Sequence, residues 1–164
     1  MLKTTRISFG GTAAIVTSMA LMTGLEAANA SKATELTALL IAAVADNLSD
    51  SLSVHLYQES EGLERREAFK GTLTNFATRF VVCLSFVFIV LMFERQTAAL
   101  GGIVWGLTLL SVLSFMLARQ RNVGVFSEVA KHLAVAVVII FASRGLGHWI
   151  TNYTALRLES FQIQ

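Results

Sequence analysis

Two carboxylates one helical turn apart, Asp46 and Asp50, lie inside a long apolar stretch, residues 36–57, with Ser49, Ser53 and Tyr57 nearby. At about 100° per residue these five side chains share one helical face. Val44, Leu48, Leu52 and Leu56 line the opposite side. A charged side chain at mid-bilayer costs roughly 2.5–3.5 kcal/mol on insertion scales and marks function by default. Two neighbouring carboxylates withdrawn from water cannot both ionise cheaply, so the empty pair is expected to share a proton. A divalent cation reverses this, because carboxylate must ionise to coordinate, and binding then releases protons. Ser49, Ser53 and Tyr57 add hydroxyl oxygens, either as ligands or as hydrogen-bond partners of the ligands. The all-oxygen set Asp46, Asp50, Ser49, Ser53 and Tyr57 suits Mg²⁺, Mn²⁺ or Fe²⁺ better than soft ions. The competing expectation is structural: the polar seam packs on another helix and pairs with its polar groups.

Arg144 and His148, also four residues apart, lie in the last apolar segment. Arg144 could snorkel to the nearer end of its helix. It could instead pair with Asp46, since guanidinium is long and always charged. That pairing would make Asp46 structural and the protein a non-transporting structural or regulatory membrane protein. His55 lies about 180° around the helix from Asp46 and about 140° from Asp50, off the acidic face. It is expected to be a solvated histidine at the membrane interface. The hydrophilic loop, residues 58–75, carries Glu59, Glu61, Glu64 and Glu67 among Arg65, Arg66 and Lys70. This mixture reads as a solvated helical extension laced with i,i+3 and i,i+4 pairs. Cation capture by the four glutamates is the alternative.

These residues must be positioned by membrane helices. Of 164 residues, 54% are hydrophobic and only 15% are charged. Such a composition excludes an ordinary soluble domain. Five apolar segments, 7–25, 36–57, 76–93, 98–118 and 129–150, are each near the roughly 20 residues that cross hydrocarbon. Uninterrupted runs of that length cross as helices. The expectation is therefore an all-α polytopic membrane protein, a single domain over residues 1–164 with five transmembrane helices. The first segment also resembles a signal peptide, with Ala28-Asn29-Ala30 as a cleavage site. Its length and its Gly10, Gly11, Thr12 and Thr17 favour a retained helix, and Gly10, Gly11, Ala13, Ala14 and Ser18 give it a surface for close packing.

Lys3, Arg6, Arg65, Arg66, Lys70, Arg79, Arg119, Arg121 and Lys131 fall on one side of such a bundle, and Lys32, Arg95 and Arg157 on the other. The bias puts the N-terminus in the cytoplasm and the C-terminus outside. A net charge of +2 gives no reason to expect nucleic acid. The single cysteine, Cys83, excludes an internal disulfide. Nucleophile–base pairs, phosphate-binding glycine loops and zinc spacings are absent, so the chain is not expected to be an enzyme or to hold a tight cofactor.

Three segments together resemble the vacuolar iron transporter family and its bacterial relatives. Gly10-Gly11-Thr12-Ala13-Ala14-Ile15-Val16-Thr17-Ser18, followed by Met22-Thr23-Gly24, looks like the family's Gly-x-x-Asp-Gly-Leu-Val-Thr segment and its later Gly. Leu48-Ser49-Asp50-Ser51-Leu52-Ser53-Val54 looks like its Leu-Gly-Glu-Tyr-Leu-Ser-Val. Ser143-Arg144-Gly145-Leu146-Gly147-His148 falls where the family has a Tyr-hydrophobic-x-Gly-Arg pattern. The departures are specific. The family's metal-binding Asp of the first helix falls at Ala13, its Met of the second at Asp46, and its Glu at Asp50. Its glutamate-rich cytoplasmic insert is reduced to residues 58–75. The resemblance implies a divalent-cation carrier of the iron or manganese type in a bacterial inner membrane, exchanging metal for protons. It also implies a homodimer with the pathway between subunits, which would gather two copies of Asp46 and Asp50 around one axis.

Overall fold

Long apolar runs without proline leave the backbone no better option than continuous helix, since every buried N–H and C=O must be bonded within the chain. The computed structural model describes the backbone of residues 2–162 and the side chains of residues 10–156. Lys3, Arg6 and Arg157, used above for orientation, lie outside the described side chains. Five helices follow one another: α1 (Leu2–Ala27), α2 (Lys32–Ser60), α3 (Arg65–Met92), α4 (Arg95–Arg121) and α5 (Val125–Gln162). The described residues include no strand. Each helix begins before its apolar segment, and all but α3, which stops at Met92, also run past its end, because polar residues continue a helix once it has left the apolar layer.

Short turns join the helices. Asn29 and Asn122 adopt left-handed backbone (φ 55° and 53°) after α1 and α4, as Asn tolerates at helix ends. Gly62 (φ 76°) turns the chain between α2 and α3. The helical extension expected over residues 58–75 is therefore interrupted: α2 stops at Ser60 and α3 begins at Arg65. Ser31 starts α2, its hydroxyl accepting from the Thr34 N–H at 3.1 Å.

Helix α2 is not uniform. Its α-helical parts, Lys32–Ile41 and Asn47–Ser60, are separated by a π-helical turn at Ala42–Asp46. Such turns insert a residue into the ladder and recur at functional sites. Asp46 is the last residue of this one.

Helix α1 is the centre of the assembly and packs against α2, α3, α4 and α5. Ile15, Met19 and Met22 sit in the core with Leu39, Phe86, Val90, Leu110 and Ala136 from the four surrounding helices. Small residues allow this density. A Cβ on Gly10 would run into Asn75, and one on Gly106 into Met19. Removing α1 as a signal peptide would empty the core.

Helices α2, α3, α4 and the Val125–Leu156 part of α5 are each long and apolar enough to cross a membrane. Their outward surfaces are apolar, with Leu48, Leu52, Phe88, Leu100, Val104 and Phe141 exposed.

Candidate functional site

The acidic pair lies against α3. Arg79, one turn in from the start of the apolar part of α3, is buried: only 2% of its side chain is exposed. Its Nη2 donates to Asp46 Oδ2 at 3.2 Å, and its Nη1 is 2.6 Å from Asp50 Oδ2. Its Nε donates to Asn47 Oδ1 at 2.8 Å. One guanidinium thus gathers three side chains from about one turn of α2. Charge-assisted contacts of this kind are among the stronger ones a protein makes.

A buried polar layer continues from the triad. Asn47 Nδ2 donates to Ala43 O at 2.9 Å and contacts Cys83 Sγ at 3.6 Å. Ser18 of α1 reaches the same sulfur at 3.6 Å. One turn along, Asn75 Nδ2 donates to Ser51 Oγ at 3.1 Å. Asn47, Ser51 and Gln58 form the buried stripe of α2. Gly10 admits the layer, because any Cβ there would collide with Asn75 and crowd Arg79.

The acidic face itself points outward. Asp46 and Asp50 keep 48% and 46% of their side chains exposed while their inner oxygens engage Arg79. Ser49, Ser53 and Tyr57 are exposed on the same surface. Ser53 Oγ donates to the Ser49 carbonyl at 3.1 Å, an ordinary intrahelical bond. The apolar side, Val44, Leu48, Leu52 and Leu56, is exposed as well. Neither of the two faces distinguished in the sequence is the packed one; the packed stripe lies between them.

Three expectations change. Asp46 pairs with Arg79, whereas Arg144 contacts Glu26 at 3.6 Å, so the Asp46–Arg144 pairing is not formed. Arg79 is not a charge at the membrane surface but a buried cation inside the bundle. The acidic pair is not isolated from other charge: the Arg79 guanidinium contacts both carboxylates. Among the described residues, no three His, Cys, Asp or Glu side chains converge as a metal site. A single chain offers a cation, on this face, the outer carboxylate oxygens and the nearby hydroxyls.

The remaining candidates lie elsewhere. His55 is half-buried, with Nε2 3.5 Å from Glu59, and borders an open groove of about 310 Å³ with Leu52, Phe69 and Phe76. It is thus less solvated than its place near the helix end implied. Glu59 also lies 3.8 Å from Arg65, and Glu67 pairs with Lys70 at 2.8 Å. Both are surface contacts, and with exposed Glu61 and Glu64 they form no common site. Between α4 and α5, Ser114 Oγ lies 3.0 Å from His132 Nδ1.

Arg79 and Asn47 are the site residues that sequence reasoning passed over. A signal existed: Arg79 falls inside the apolar segment 76–93, and Asn47 sits between the two aspartates. No protein-family model, curated protein or solved structure matches the chain.

Proposed function

We propose that this is a five-span carrier of divalent cations, acting as a homodimer through the outward acidic face of α2. The observation that carries the reading is the triad's exposure. Two carboxylates against one guanidinium leave each protomer one negative charge, half-exposed in the middle of a membrane-length helix. Facing lipid, that charge has no compensation. Facing a second copy across a two-fold axis, two triads present two negative charges to one space. A single divalent cation neutralises them, and the donors are hard oxygens suited to Mn²⁺, Fe²⁺ or Mg²⁺.

Arg79 then has a definite role. It holds the carboxylates in place when no ion is present and leaves their outer oxygens available. The fifth span is α1: it runs within the ring of the other helices, so where they cross it crosses with them. The N-terminus is cytoplasmic, the C-terminus is outside, and the membrane is the bacterial inner membrane of the resemblance to vacuolar iron transporters.

The competing reading is a structural one, favoured by the burial of Arg79 and its third bond to Asn47. There the triad pins α2 to α3 and nothing moves. Uptake of Mn²⁺ into liposomes containing the purified full chain decides between them. The carrier reading expects uptake by the native protein and its loss in Asp50→Asn, with the variant still folded because Asp46 and Asn47 keep Arg79 bonded. Native liposomes no leakier to Mn²⁺, Fe²⁺ and Mg²⁺ than empty ones would leave only the structural pin.

A further inference from the structure

We infer that α2 is a two-register helix. Absorbing the π-helical turn at Ala42–Asp46 into ordinary α-helix advances residues 47–60 by one position and carries Asp46 and Asp50 from the outward face into the buried stripe. The switch belongs to the chain and stands whether or not that face carries a cation.

One side chain holds the π turn. The Asn47 N–H bonds the Ala42 and Val44 carbonyls and passes over the Ala43 carbonyl between them. Asn47 Nδ2 takes that carbonyl at 2.9 Å, while Asn47 Oδ1 accepts from Arg79 Nε at 2.8 Å. In an α-helix the Ala43 carbonyl would be bonded by the backbone N–H four residues on, which is that of Asn47 itself. Asn47 is thus a latch: its side chain does what its backbone would do in the other register.

A π turn holds one residue more than the α turn it replaces. Without it, each residue of 47–60 moves into the place of its successor, a screw of about 100° and about 1.5 Å. The exchange is chemically matched. Asp46 takes the place of Asn47, a side chain of the same size, where Arg79 Nε donates. Asp50 takes the place of Ser51, whose Oγ accepts from Asn75 Nδ2 at 3.1 Å. Both donors then meet carboxylate oxygens. On the outside, Ser49 moves into the place of Asp50, and Leu48, Leu52 and Leu56 into those of Ser49, Ser53 and Tyr57. One surface of the protein changes from acidic to apolar.

The observed register leaves two buried polar atoms of the turning segment unbonded. His55 Nδ1 and Gln58 Oε1 have no hydrogen-bond partner among the described residues. Such groups are few in a native fold and need an explanation. One position on, His55 takes the place of Leu56 and Gln58 that of Glu59, both exposed, so both atoms reach the surface. Against this, Asn47 gives up its bonds and moves to the exposed place of Leu48, which favours the observed register. Little blocks the motion. The segment packs chiefly against α3, and Gly62 in the turn that follows has open space around it.

The test is labelling of the purified full chain in detergent with a water-soluble maleimide, at two adjacent positions that exchange burial. Native Cys83 is buried. Gln58→Cys places a thiol that is buried in the observed register and exposed in the other. Tyr57→Cys places one that is exposed and moves into the buried place of Gln58. Asn47→Leu removes the latch and suits the apolar place of Leu48. It should speed labelling several-fold in the Gln58→Cys chain and slow it in the Tyr57→Cys chain. Deleting Val44, an exposed residue of the π turn, removes the extra residue and leaves every later side chain in its observed place. The deleted chain should fold, and its Gln58→Cys labelling should slow several-fold while Tyr57→Cys labelling does not fall. Opposite changes at neighbouring positions distinguish turning from fraying, which exposes both. Rates that rise together in Asn47→Leu, or a Gln58→Cys rate that the deletion leaves unchanged, would overturn the switch. So would a deleted chain that does not fold. If Asn47→Leu itself does not fold, the deletion decides alone. No cation enters the assay, so its outcome is independent of Mn²⁺ uptake.

Discussion

Arg79 Nη1 stands 2.6 Å from an Asp50 carboxylate oxygen across the α2–α3 contact, the guanidinium buried and the carboxylate half-exposed. The asymmetry sets what each side can do. Arg79 cannot leave without stranding a charge, while Asp50 retains a free outer edge. The same guanidinium bonds Asp46 through Nη2, so either aspartate alone still leaves it a counter-charge.

That sharing predicts non-additive stability. Asp46→Asn or Asp50→Asn alone leaves Arg79 one carboxylate and Asn47. The double variant leaves a buried guanidinium without any counter-charge, a loss of about 3–5 kcal/mol. Thermal unfolding in detergent should show the double variant well below the sum of the two singles. Additive losses would mean that Arg79 does not link the pair.

Asn47→Ala removes the acceptor for Arg79 Nε and the donor to Ala43 and Cys83. Leaving a buried charged donor unsatisfied costs about 1–3 kcal/mol. Ser49→Ala, at an exposed position of the same helix, should cost far less. The two melting curves side by side check the claim that the packed stripe is the Asn47 side.

Gly147→Ala should separate α1 from α5. Its Cβ would collide with the Gly24 carbonyl, a backbone atom that cannot turn aside, and press on Ala27. A loss of about 1–3 kcal/mol follows from such overpacking. Gly145→Ala, with open space around its Cβ, should be neutral. Equal melting temperatures for the two variants would count against close α1–α5 contact.

The proposed dimer predicts a cross-link. Cys83 is buried, so its thiol is shielded from a linker and the native sequence serves as the background. On it, Ser53→Cys on the acidic surface should join two copies with a short thiol linker in membranes, and Val104→Cys on exposed α4 should not. Failure of Ser53→Cys to link, or equal linking by both, would remove the second copy from that face.

The loop glutamates should matter little. Replacing Glu59, Glu61, Glu64 and Glu67 by Gln removes only surface contacts to His55, Arg65 and Lys70. Exposed pairs contribute about 0–1 kcal/mol. Uptake of Mn²⁺ at limiting concentration should be unchanged; a large loss would restore cation capture by the loop.

The sequence alone determined the helices and the close spacing of Asp46 and Asp50. Apolar length and absence of proline are properties of contiguous residues, and so is a four-residue spacing on one helix. Small residues in the first segment likewise marked α1 as a close-packing helix before its central place was visible. The tertiary structure decided which cation meets the acids. Arg79 and Arg144 both sit near the end of an apolar segment, and nothing local distinguishes them. Only the placement of α3 beside α2 makes Arg79 the partner and leaves Arg144 to Glu26. Which stripe of α2 is packed was equally out of reach. In a membrane helix polar and apolar side chains can each face inward or outward, so hydropathy gives no inner side. The π-helical turn before Asn47 shifts the register of everything after it. Asn47, Ser51 and Gln58 became the inner face because Arg79, Asn75 and Gly10 meet them there, and those neighbours come from other helices.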